Sequence, residues 1–295
     1  MLELLLILFG LLVSITGLQT CAFYAMWYYE RRTHPESAIV PGETPVALAP
    51  GLLGILVEWA AVTLLVLSYP LRLLHDASPV RIRHKGEPPI ILVHGYGGDS
   101  ANFLMMQWRL RRRGWANVYA VSYTPPTIDA RRLAAQVERH VARILAVTGA
   151  EKAHLICHSM GGPLTRYALH YLDLEGKVDR VISLGSPHHG SRLASLFPAM
   201  GAAGQMRYRS AFIEQLNAEA GPTPGGARFY SIYSNFDNFI LPASSAVLGG
   251  DARNIHVPYH GHCALLYSNR VLDEVERCLH DAEYQPDATP AARED

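Results

Sequence analysis

The hydrophobic positions of this chain fall into two regimes. In the first, apolar residues run together: Leu4 to Tyr29 contains no charged side chain, and Thr44 to Leu74 is a second apolar tract with Glu58 near its centre. A helix of about 20 residues crosses the hydrocarbon of a bilayer, so both tracts are long enough. The first tract lacks the basic start and short apolar core of a cleaved signal peptide. The pattern therefore predicts a membrane-attaching helical hairpin over residues 1–76, with spans at about 4–29 and 48–71. A carboxyl group inside a span is costly unless it is neutral or paired, so Glu58 is expected to be protonated or to face the first helix. Burial of the second tract as a core helix of a soluble domain is the other reading. Tyr24, Trp27, Tyr28, Tyr29, Trp59 and Tyr69 suit the two membrane interfaces.

From Pro79 onward the texture changes to short apolar runs alternating with helical patterns. "PPIILVHG", "NVYAVSY", "AHLICH", "VDRVISLGS", "RFYSIYS" and "NIHVPYH" read as strands. Between them, "DARRLAAQVERHVARILAVTG" carries apolar residues at helical spacing with a glycine stop, and "PLTRYALHYL" follows the third strand as a helix. Strands alternating with helices predict an α/β fold, a mostly parallel sheet covered on both faces. This domain is expected over residues 77–282, followed by a disordered tail at 283–295.

Composition narrows the partners. The 295 residues hold 26 Lys and Arg against 26 Asp and Glu, which gives no electrostatic case for nucleic acid. Hydrophobic residues make up 49% and charged residues 18%, an apolar excess that the two tracts account for. A hairpin leaves the residues before and after it on one side. Arg31 and Arg32 lie in its turn and Arg72, Arg81, Arg83 and Lys85 follow it, which favours the C-terminal domain on the cytoplasmic side of a cell membrane. Cys21, Cys157, Cys263 and Cys278 fall at no disulfide-framework or CxxC spacing, in keeping with a reducing compartment.

The chemistry concentrates in "AHLICHSMGGPLTRYALHYL", where a strand runs through Ser159 and two glycines into a helix. This is the form of a nucleophile elbow, with Cys157 in place of its first glycine. "VHGYGG" ends an earlier strand; "LGSPHHGS", "DNFILP" and "GHCALLYS" follow later strands. In that order these five motifs, across about Gly86 to Leu279, resemble the α/β-hydrolase superfamily, and within it the compact bacterial lipases and esterases.

The resemblance implies carboxylic ester hydrolysis, with acyl lipids as the expected substrate. It implies Ser159 as nucleophile, His262 as base, Asp237 as the acid that orients His262, and the main-chain N–H groups of Tyr96 and Met160 as the oxyanion hole. Cys157 then fills a position that needs only a small side chain. His94 and His158 are expected to hold the turns, and His188 and His189 to line the site; His256 and His260 rival His262, and Asp251 and Asp273 rival Asp237. Residues 191–221, rich in Ala, Met and Leu, read as a lid or acyl-binding wall, or as ordinary surface helices. No cofactor is implied, and no calcium or zinc ligand pattern is present. The same triad serves acyltransferases and thioesterases, and a catalytically silent membrane-binding module is the remaining alternative.

Overall fold

The computed structural model describes residues 1–35, 46–72 and 83–281. The boundary expected between residues 76 and 77 and the tail at 283–295 lie outside them. Among the described residues there are six strands: β1 (Ile90–Val93), β2 (Val118–Val121), β3 (Ala153–His158), β4 (Val178–Leu184), β5 (Arg228–Tyr233) and β6 (Arg253–His256). The helices are α1 (Leu2–Thr33), α2 (Leu48–Ser68), α3 (Leu104–Arg112), α4 (Ala130–Thr148), α5 (Gly161–Tyr171), α6 (Gly201–Gln205), α7 (Ala211–Glu219) and α8 (Asn269–His280).

The strands form one wholly parallel sheet in the order β2-β1-β3-β4-β5-β6. Each of the six apolar runs read from the sequence is one of them. Alternate side chains of each strand enter different cores: Ile91, Val93, Leu155 and Cys157 pack on one side, and Ile90, Leu92, Ile156 and Ile182 on the other. Helices α4, α5 and α7 cover the first core, and α3 and α8 the second.

Helix boundaries follow local chemistry. The Asp129 side chain accepts the Arg131 N–H at 2.7 Å to start α4, and Gly149 ends it at φ 68°. Ser268 caps α8 by accepting from the Val271 N–H. Because the chain goes from β1 to β2 on one side and returns to β3 on the other, the strand order reverses between β1 and β3. Ligands of open α/β sheets bind beyond the carboxyl ends of strands at such a switch point.

Helices α1 and α2 are both long and apolar enough to cross a membrane. They pair through Thr16 and Thr63, whose hydroxyls are 2.8 Å apart, and through the Trp59 indole, which donates to the Val13 carbonyl at 2.9 Å. Residues 3–11 present no buried position, whereas Thr16, Thr20, Tyr24 and Trp27 form a buried face further along α1. The buried stripe of α2 is Gly51, Gly54, Glu58, Ala61 and Val62, and it lies on the α/β domain. Glu58, for which the sequence predicts protonation or a position facing α1, finds its hydrogen-bond donors outside α1. Its carboxylate is bound by main-chain N–H groups of the loop after β6, which offers two donors at one point.

Candidate active site

Strand β3 ends at His158 and α5 begins at Gly161, which leaves two residues for the turn. Ser159, at its apex, has φ 53°, a left-handed conformation that L side chains seldom adopt. The neighbouring chain is close enough to exclude side chains: a Cβ on Gly161 would stand 2.6 Å from the Val93 carbonyl oxygen, and one on Gly95 would stand 2.7 Å from Cβ of Ser159. Cys157 points away from this turn into the core under α4 and α5, with Sγ 3.2 Å from Oγ1 of Thr165. Burial pushes its thiol up to about 12, so it stays protonated and packs as a small hydrophobe.

Asp237 lies in the turn after β5 and His262 in the loop after β6. Oδ2 of Asp237 is 2.9 Å from Nδ1 of His262, and both side chains are buried. Burial alone would lower the imidazole pKa, but the charge and hydrogen bond of Asp237 outweigh it, so His262 is held above the ordinary value. Phe239 stacks on the imidazole with ring centroids 4.8 Å apart. Ser159 and His262 open onto one cavity, together with Tyr96 and Met160. Among the described residues no hydrogen bond joins the Ser159 and His262 side chains, and pairs of this kind tighten around a substrate. Among the described residues, the main-chain N–H groups of Tyr96 and Met160 donate to no other group.

An elbow serine, an aspartate-bound histidine and a shared cavity at the switch point of a parallel sheet invite comparison with known proteins. Residues 87–280, more than half of the chain, match the model of a family described as Lipase (class 2).

The chain belongs to the class 2 lipase family.

A triacylglycerol lipase of Vibrio cholerae serotype O1 is 41% identical over 114 residues, covering 37% of this chain and 35% of that protein. One from Burkholderia plantarii is 35% identical over 114 residues, covering 36% of this chain and 31% of that protein. The chain thus spans about a third of the length of the curated relatives it matches. Two solved structures share its fold. Lipase B of Aspergillus fumigatus has a TM-score of 0.62 at 20% identity, covering 85% of this chain and 62% of that one. The mature lipase BlEst2 of Bacillus licheniformis has 0.59 at 18%, covering 68% and 95%.

In this class 2 lipase the other candidate histidines have partners of their own. His94 stacks on Tyr123 at 3.9 Å. The buried ring of His158 binds the His262 carbonyl through Nε2 at 3.1 Å, so it helps to seat the histidine behind which it packs. His260 is 2.8 Å from both the Pro258 carbonyl and the Ser268 hydroxyl, and Nε2 of His256 accepts the Asn235 N–H at 3.4 Å. His188 and His189 do not line the cavity as the sequence suggested. His188 turns into the sheet to meet Ser183 at 3.0 Å, and Pro187 takes the lining position. Asp251 sits in an exposed turn, and Asp273 pairs with Arg113 on the surface.

The cavity of this class 2 lipase has a volume of about 280 Å³ and a mainly apolar lining. The stretch 191–221 divides: Leu193, Phe197 and Met206 form cavity wall, while α7 buries Phe212, Ile213 and Leu216 in the core as an ordinary surface helix. Another part of the wall comes from the hairpin, through Gln19 of α1 and Val62, Leu65 and Val66 of α2. Nothing in the periodicity of α2 marked those three residues as cavity wall. Glu58 and Asn238, which hold the His262 loop, were equally unmarked in that role.

Proposed function

We propose that this class 2 lipase is a membrane-attached serine hydrolase that cleaves the carboxylic esters of acyl lipids. The observation that carries the reading is the bond between Asp237 and His262 beside an elbow serine, all opening on an apolar cavity. Ser159 Oγ attacks the ester carbonyl carbon as its proton passes to Nε2 of His262, and Asp237 holds Nδ1–H and stabilises the imidazolium. The carbonyl electrons move onto oxygen, which the N–H groups of Tyr96 and Met160 stabilise; such a donor is worth about 3 kcal/mol in comparable sites. Collapse expels the alcohol, which takes the proton from His262, and water then repeats the sequence to release the fatty acid and restore Ser159.

An acyl lipid is favoured over a small ester because the cavity wall is apolar and part of it belongs to the hairpin. Leu52, Leu53, Leu56 and Val57 of α2 and Leu4 to Phe9 of α1 are exposed and apolar, a surface suited to lipid. Since α2 lies on the catalytic domain along one face, lipid meets its opposite face and the first turns of α1. The preponderance of Arg and Lys after the hairpin favours the cytoplasmic side.

Full-length protein carrying Ser159→Ala tests the reading. It is expected to lose fluorophosphonate labelling and hydrolysis of p-nitrophenyl esters, while wild type prefers medium or long acyl chains over acetate. Hydrolysis by Ser159→Ala within tenfold of wild type rejects the nucleophile, and preference for acetate rejects the lipid substrate.

A further inference from the structure

Glu58 is the one acidic residue between Glu30 and Asp76, save for Glu36 and Glu43 in the connecting loop, and it sits near the middle of an otherwise apolar helix. Its side chain is fully buried, at 0% exposure. Taking a carboxylate out of water is expensive unless donors replace the lost hydration. Here the donors are the main-chain N–H groups of Cys263 and Ala264, at 3.0 and 2.8 Å from its two oxygens. Those are the two residues that follow His262.

The His262 loop is held along its main chain by side chains. The His262 N–H donates to Oδ1 of Asn238 at 3.2 Å, and the His260 N–H to the Ser234 hydroxyl at 3.3 Å. The His262 carbonyl is 3.1 Å from Nε2 of His158. Three consecutive N–H groups, from His262 to Ala264, therefore end on Asn238 and Glu58. The catalytic domain supplies Asn238, Ser234 and His158, and the hairpin supplies Glu58. The fit admits little play: a Cβ on Gly261 would collide with the Glu58 carboxylate, so the residue before His262 is bare where that group passes. Ala61 and Val62, one turn on, pack against Cys263 and Ala264 and continue the contact.

From this we infer that Glu58 is a positioning residue for the base of the proposed triad: its carboxylate clamps the two N–H groups after His262 and so sets where the imidazole stands relative to Ser159. The inference rests on the triad described under Proposed function. It makes the hairpin part of the catalytic apparatus as well as an attachment. A carboxylate that only docked the hairpin would change how much folded enzyme survives. One that positions His262 changes turnover in every folded molecule.

Glu58→Gln in the full-length protein tests the distinction, because the amide keeps the shape but presents an NH2 group to one of the two N–H donors. Active sites are counted by complete fluorophosphonate labelling, and kcat per labelled site and KM are measured on a soluble p-nitrophenyl ester. We expect kcat per site to fall about 10- to 100-fold with KM within about threefold, the cost of a small misplacement of a reacting group. Glu58→Ala, which leaves both N–H groups unpaired, is expected to fall further. Gly261→Ala supplies an independent arm that leaves Glu58 in place and displaces the loop, and it should show the same kcat-selective loss. If that loss persists at full size in the Glu58→Ala background, the two positions are uncoupled and the inference fails. It also fails if kcat per site in Glu58→Gln stays within threefold of wild type. Ser159→Ala, run alongside, separates the two readings: retained activity there rejects the triad itself, whereas an inactive Ser159→Ala with a fully active Glu58→Gln rejects Glu58 alone.

Discussion

The carboxylate of Asp237 serves three partners at once: Oδ2 meets Nδ1 of His262 at 2.9 Å, while Oδ1 accepts the main-chain N–H groups of Phe239 and Ile240 at 2.8 and 2.9 Å. The backbone bonds fix the carboxylate, so its hold on the imidazole does not depend on a free rotamer. Asp237→Asn keeps the shape but favours the wrong histidine tautomer, and a comparable triad loses on the order of 10⁴ in turnover. His262→Ala is expected to lose at least as much, and the double variant little more than His262→Ala alone, because residues acting as one unit are strongly non-additive. Steady-state kinetics of the three variants checks this; multiplying losses would assign Asp237 another purpose.

The pH dependence follows from the same pair. Burial opposes protonation of His262, and Asp237 raises its pKa above the ordinary imidazole value near 6.5. A base acts only when neutral, so kcat/KM should fall as pH drops through a value above 6.5. In Asp237→Asn the larger raising charge is gone, while burial and the lesser raising influence of Glu58 remain, so the residual activity should show its acid limb at lower pH. A pH profile of both proteins decides it, and an unmoved limb counts against the assignment.

Cys157→Ala should leave turnover within about threefold of wild type, since the thiol is buried against Thr165 and stays protonated. The lost sulfur should cost about 1 kcal/mol of stability, read from denaturant unfolding. A larger side chain such as valine should cost about 1–3 kcal/mol through overpacking. A kinetic loss as deep as that of Ser159→Ala would give the cysteine a chemical role.

The hairpin wall can be tested by filling it. Val66 lines the cavity and is 41% exposed, so a tryptophan there can be accommodated without rebuilding the core. Val66→Trp is expected to lower kcat/KM for long-chain esters by about 10- to 200-fold, the range for steric changes in apolar pockets, and to leave short esters within twofold. Equal effects on both chain lengths would remove α2 from the acyl site.

Membrane attachment and catalysis should be lost together. The intact protein is expected to stay with membranes after alkaline carbonate washing. A chain beginning at residue 83 lacks that attachment, and it also lacks Glu58 and the cover over Phe236, Cys263 and Ala264. Its turnover per labelled site should fall at least about tenfold through the loosened His262 loop. Sedimentation and kinetics of the two proteins check both expectations.

Sequence periodicity was sufficient for the six strands, for α4 and α5, and for the two long apolar helices, because each of those follows from neighbours a few positions apart. The elbow was legible for the same reason: a strand, a serine and small residues within one turn leave few alternatives. The order of Ser159, Asp237 and His262 identified candidates, yet whether Asp237 met His262 depended on how the turns after β5 and β6 were aimed. His188 was expected from the sequence to line the site, and only the turn of its side chain into the sheet removed it from the cavity. Glu58 carries the lesson furthest. Hydropathy could say that a carboxylate in an apolar helix needs a partner, but that partner lies 205 residues away in main-chain N–H groups, which carry no sequence signature. Local pattern fixes local backbone; the pairing of distant backbone donors with one buried charge is decided only when the whole chain has packed.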